Sequence, residues 1–190
     1  LEPLEKARDS GVAYLETLTA VYAKLGRLPE ARATMGRILA TNPAANLEFM
    51  LVEYSHYKRG EDLDQLLGAL RQAGMPDWPF GYQGRPEHRL NSSEIAALTY
   101  GRTWVGNADG VGPFVQEISE NGTLAYRDAT TFTTASVTVE GSKLCQRNEA
   151  FLMGRKYCGY VYRNPSGTPT ARDEYIYVSA NTIYKFSITP

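Results

Sequence analysis

Only two cysteines and two histidines occur among 190 residues, so the chain lacks the material for a multi-disulfide scaffold or a Cys/His metal cluster. Charge of one sign is also missing. The 20 basic and 21 acidic residues leave a formal charge of -1, and each half is separately balanced, which removes the electrostatic footprint of a nucleic-acid binder. Purely apolar runs extend for only a few residues, too short for a membrane span, and the first residues, LEPLEKARDS, are too charged for a signal peptide. The chain opens on Leu1 rather than Met, as a piece cut from a longer protein or a processed product would. No HxH, HExxH, CxxC, GxSxG or P-loop pattern occurs, so no zinc, acyl-transfer or phosphate-cradling motif is present. These absences point to a non-catalytic chain with no cofactor and no metal site. His56 and His88 lie in different halves, and His56 is expected to be a packed histidine.

What is present is a globular composition, 43% hydrophobic and 22% charged, enough for one ordinary domain or two small ones. The grammar changes along the chain. Leu and Ala dominate before residue 90, whereas eight of the 13 Tyr follow it, so a helical first part and a β-rich second part are expected. Between them, MPDWPFGYQGRPEHR (75–89) holds three Pro and two Gly and reads as a linker. Its Trp78, Phe80 and Tyr82 predict that it packs onto one or both parts. The fold class expected is α+β: helical hairpins over 1–74, then an antiparallel β domain over 90–190.

In the helical part, Leu15, Leu18, Val21, Tyr22 and Leu25 recur at helical spacing, as do Ala31, Met35, Ile38 and Leu39 after the break GRLPE. Gly26 suits a helix end and Pro29 a helix start, giving a hairpin. Leu15, Leu18, Tyr22, Gly26, Ala31, Met35 and Pro43 resemble the key positions of a tetratricopeptide repeat. A shift of 34 residues carries Gly26 to Gly60, Leu15 to Phe49, Leu18 to Val52 and Tyr22 to His56. Beyond Gly60 the agreement fades, although Leu63, Leu66, Leu67 and Leu70 still form an apolar face, as in a degenerate terminal repeat. Such hairpins serve either as a concave surface for a protein partner or as a spacer.

After Asn91-Ser92-Ser93-Glu94, an N-cap signal for one short helix, strand-like runs recur at 103–106, 113–120, 123–129, 133–140, 143–147, 157–163, 174–179 and 182–188. Asn121-Gly122, Glu140-Gly141-Ser142 and Pro165-Ser166-Gly167 supply turn chemistry between them. The pattern predicts an antiparallel meander closed as a barrel or split into a sandwich. Trp104, Tyr126, Arg127, Tyr160, Tyr162 and Tyr175 are the candidate ligand-lining residues, with Arg127 as an anchor; the alternative makes them core, with Arg127 outside. Cys145 and Cys158 fall on neighbouring strands. They form either a disulfide, which suits an export compartment, or two reduced core thiols.

Two further stretches, YLETLTAVYAKLGRLPEARATMGRILATNP and DLDQLLGALRQAGMPDWPF with its Leu70 to Pro76 run, resemble the C-terminal tetratricopeptide region of bacterial class III adenylate/guanylate cyclases. EIAALTYGRTW, ENGTLAYR, LCQRN and YCGYVYRNPSG look like a small β domain found at the ends of such proteins and in exported bacterial proteins. The resemblance implies a regulatory or sensory tail that binds a protein partner or a small ligand and biases an upstream cyclase domain, with no catalytic segment of its own. Relatives with a membrane span before the repeats imply a periplasmic tail, which is favoured here over a cytoplasmic one. The alternative is an exported β-barrel ligand-binding protein with a helical docking module.

Overall fold

The computed structural model describes residues 12–56 and 59–189, and the chain divides into two compact units between Tyr82 and Gln83. In the first unit, helices α1 (Val12–Lys24), α2 (Leu28–Thr41), α3 (Leu47–Glu53) and α4 (Gly60–Gln72) follow in order, with short connections from α1 to α2 and from α2 to α3. Gly26 closes α1 at φ +73, while the N–H of Arg27 donates to the Tyr22 carbonyl at 2.9 Å. That left-handed end satisfies helix carbonyls otherwise left without partners. Pro29 stands in the first turn of α2, where its missing N–H costs least. α1 packs on α2 and α4, and Leu18, Ala31, Met35, Ile38, Met50 and Leu70 form a core almost free of solvent. Burying each large aliphatic side chain contributes about 1.5–3 kcal/mol.

The 34-residue correspondence does not carry over into geometry. Gly60 opens α4 instead of closing a helix, and its φ is not positive. α3 has only seven residues and ends at Glu53, so His56 lies beyond it, exposed, with Nδ1 3.0 Å from the Glu53 carbonyl oxygen. The packed histidine expected from the repeat is therefore a surface one. The start of the aromatic Pro-rich stretch is fixed to the first unit. The carbonyls of Pro76 and Asp77 accept from Leu47 and Glu48, and the Phe80 N–H donates to Pro43. Trp78 and Tyr82 are half-buried there, but Phe80 is exposed, at φ +55.

The second unit begins with α5 (Ser92–Thr99), followed by strands β1 (Arg102–Ala108), β2 (Gly112–Ile118), β3 (Thr123–Arg127), β4 (Phe132–Glu140), β5 (Lys143–Arg147), β6 (Lys156–Arg163), β7 (Tyr175–Val178) and β8 (Ile183–Thr189). Each pairs antiparallel with the next, and β8 returns to β1. The meander is thus a closed eight-stranded barrel, and the sandwich alternative falls. Closure leaves no strand edge for another chain to pair with.

α5 seals one end of this barrel. The Asn91 side chain accepts from the Ser93 and Glu94 N–H groups, and Glu94 Oε2 accepts from Asn91 N at 2.9 Å, a reciprocal capping box. Glu94 also accepts from Arg163 at 2.8 Å, tying the helix start to the end of β6. Ile95 and Leu90 are buried in the barrel core, and Trp104 Nε1–H donates to the Leu98 carbonyl at 2.6 Å. The opposite end carries loops 109–111, 128–131, 148–155 and 179–182, with a short 3-10 turn at Leu152–Gly154.

Candidate binding site in the barrel interior

Alternation along each strand sends every second side chain inward. The registers Trp104↔Gln116↔Tyr126 and Val137↔Gln146↔Tyr157 define two bands of the interior wall, and Tyr177↔Tyr184↔Ala108 a third. Toward α5 the space is filled by rings. Trp104 stacks on Phe186 at 3.8 Å between centroids, Tyr175 lies 5.6 Å from Phe186, and Tyr177 meets Trp104 edge-on at 6.0 Å. Toward the loops the wall becomes amphipathic: Phe114 meets Tyr184 edge-on at 5.1 Å, and Tyr126, Tyr157, Gln116 and Gln146 bring polar atoms inside.

Gln116 and Gln146 are 1% and 4% exposed. Gln146 Oε1 accepts from the Tyr157 hydroxyl at 2.9 Å, but its Nε2 has no partner among the described protein atoms, and neither does Gln116 Oε1. A buried donor or acceptor left without a partner costs about 1–3 kcal/mol, and native domains hold few of them. The surroundings are uncharged. Apart from Arg102 and Arg163 at the helix-side strand ends, the inward strand positions carry no Asp, Glu, Lys or Arg. Burial holds the hydroxyls of Tyr126, Tyr157, Tyr177 and Tyr184 above the usual phenol range, so they remain neutral. At the loop end, Tyr126 donates to Asp128 at 2.8 Å. The Thr130 N–H, followed by that hydroxyl, brings the Asp128 carboxyl down to about 2. The described interior positions carry no His, thiol or carboxylate. The arrangement offers hydrogen bonds and aromatic faces to an uncharged polar molecule.

The residues singled out from the sequence divide between the two faces of the wall. Trp104, Tyr126 and Tyr175 are inside, the first and last as parts of the aromatic packing. Arg127, Tyr160 and Tyr162 point outward, because their pairing partners Val115, Val178 and Ile176 are outward positions. Arg127 is exposed and anchors nothing inside. Tyr160 lies between the Arg89 guanidinium at 4.8 Å and the Lys143 ammonium at 4.9 Å. Tyr162 is covered by Gly84, where even a Cβ would come within 2.3 Å of the ring. Cys145 and Cys158 face each other in register on β5 and β6 and form a disulfide on the outer face. Gln116, Gln146, Tyr157 and Tyr184 were not anticipated. The visible signal for one of them was Phe114-x-Gln116-x-Ile118, a polar residue on an otherwise apolar face.

The helical unit has its own concavity, about 290 Å³, lined by residues including Glu16, Ala20, Lys24, Met50, Tyr54 and Leu66. Burial first, and Glu53 second, push the Glu16 carboxyl up to about 7, although Tyr54 lies within 3.4 Å of it. Among the described residues no group of three His, Cys, Asp or Glu side chains could hold a metal ion, and no helix is long and apolar enough to cross a membrane. No family model, curated protein or solved structure matches the chain.

Proposed function

We propose that this chain is a non-catalytic binding module whose barrel takes a small uncharged ligand and whose helical unit docks a protein partner. The observation that carries the reading is the pair of buried amides, Gln116 and Gln146, each with one atom unpaired inside a wall of neutral tyrosines. Eight strands enclose a space that side chains just fill or that holds one small molecule. An uncharged ligand with a donor and an acceptor would satisfy both amides, recovering the desolvation that each now costs.

In the helical unit we read the hairpins as tetratricopeptide-like and the Glu16 concavity as the protein-facing surface. The sequence resemblance supports a place for the module at the C-terminal end of a class III nucleotide cyclase. Ligand in the barrel would bias the cyclase only by distinguishing two states of the whole protein. The disulfide between Cys145 and Cys158 favours an oxidising compartment on the periplasmic side. It equally supports the second reading, an exported ligand carrier with a helical docking module.

Native mass spectrometry of the chain purified without denaturation tests the proposal. The expected result is a small molecule retained by the wild type and absent after Gln116→Leu or Gln146→Leu. An empty wild type that also takes up nothing from a panel of small amides, ureas and pyrimidines would sink it. A nucleotide-cyclase domain in the coding sequence upstream of Leu1 separates the regulatory tail from the carrier.

A further inference from the structure

We infer that the loop end of the barrel docks on an anionic lipid surface. Among the described residues of the second unit, the large apolar side chains left exposed are Val111, Phe132 and Met153, at 52%, 72% and 74%. All three lie at the end opposite α5, on different connections: the β1–β2 turn, the start of β4 and the β5–β6 loop. These connections are spaced around the closed ring of strands, so the side chains stand around a rim and not in one patch. A stable protein interface buries about 800 Å² per partner around a continuous core. Separate apolar tips on a rim suit a planar bilayer interface, which accepts each to a shallow depth.

The Met153 tip is held out by its backbone. Leu152 and Met153 have φ +49 and +54, followed by Gly154 at +70. Left-handed conformations are unfavourable for side chains of this size, yet here they present a thioether to solvent where a polar residue would serve solubility better. The charges nearby favour phosphate headgroups. Arg127 and Arg147 end β3 and β5 at this rim and are exposed. Of the acidic groups, Asp109 is bridged by Lys185 at 3.0 Å, while Asp128, kept as a carboxylate by Tyr126 and the backbone of its turn, and exposed Glu149 are outnumbered by Arg127, Arg147 and Arg155, the last at the end of the β5–β6 loop. Basic residues beside apolar tips attract and hold an anionic leaflet. This inference does not depend on what the barrel interior binds.

Co-sedimentation of the 190-residue chain with vesicles of phosphatidylcholine alone, or with about 30% phosphatidylserine added, tests it. The chain should sediment with the anionic vesicles, and less as salt rises from roughly 0.1 to 0.5 M. Phe132→Asp, Met153→Asp and Val111→Asp should each weaken binding roughly tenfold, while Leu25→Asp, an exposed apolar site of the helical unit, should not. Unfolding midpoints matching the wild type show that the variants are folded, and three separate tips guard against one that is not. Failure to sediment with either vesicle overturns the inference, as does wild-type binding by the folded tip variants. Self-association of the wild type that the same substitutions abolish would also overturn it, making the rim a contact between copies of the chain.

Discussion

Among the described residues, Glu16 is the carboxyl group most disturbed by its surroundings, raised from an ordinary 4.5 to about 7 by burial and by Glu53. The folded state therefore holds a proton that the unfolded chain has released between those values. Stability from this group is fully present below pH 4.5 and is lost as pH rises through 7. Allowing for solvent screening of a partly exposed group, the loss is on the order of 1–2 kcal/mol. Glu16→Gln should raise the urea midpoint near pH 8 and leave it nearly unchanged near pH 4, roughly either side of the titration. Gln116 makes a different prediction. Its Oε1 is buried without a partner, so in ligand-free protein Gln116→Leu should be neutral or stabilise by up to ~1 kcal/mol. Chemical denaturation reads this, and a loss of several kcal/mol would mean that the amide is an ordinary structural hydrogen-bonding group.

The elements of the β domain were largely legible in the sequence. All eight strand runs and the short helix appear near their expected positions, because turn residues such as Asn121-Gly122 mark the reversals and Asn91 with Glu94 forms the cap. Facing was harder to read. β6 carries Tyr157 and Val161 inward but Tyr160 and Tyr162 outward, so large residues occupy both faces, and only pairing with β5 and β7 fixes the phase. Leu144, Cys145 and Gln146 are buried in succession, which erases the alternation that would have exposed Gln146 as inward. The helical period misled ahead of Gly60, since α3 is too short to carry the second repeat as far as His56, whereas beyond it Leu63, Leu67 and Leu70 are buried on α4 as their spacing predicts. Asn91→Ala should cost about 1 kcal/mol, measurable by denaturation and by the fluorescence of Trp104, whose indole hydrogen-bonds to α5. Reducing the disulfide, which spans 13 residues in sequence, should lower stability by roughly 3 kcal/mol by freeing the unfolded chain, visible as a lower thermal midpoint in reductant.

At the scale of the molecule, each unit has its own hydrophobic core, and chemistry is distributed accordingly: a titrating groove among helices, neutral polar atoms inside the barrel. The central claim is that Gln116 and Gln146 meet a ligand. The most direct measurement is the side-chain amide spectrum of the nitrogen-15-labelled chain, titrated with a compound from the small-molecule panel that raises its thermal midpoint. The account predicts that the NH2 resonances of Gln116 and Gln146 move together and saturably, with the backbone signals of Tyr126, Tyr157 and Tyr184. Unmoved glutamine signals, with shifts confined to the outer face around Tyr160 or to the helical groove, would contradict it.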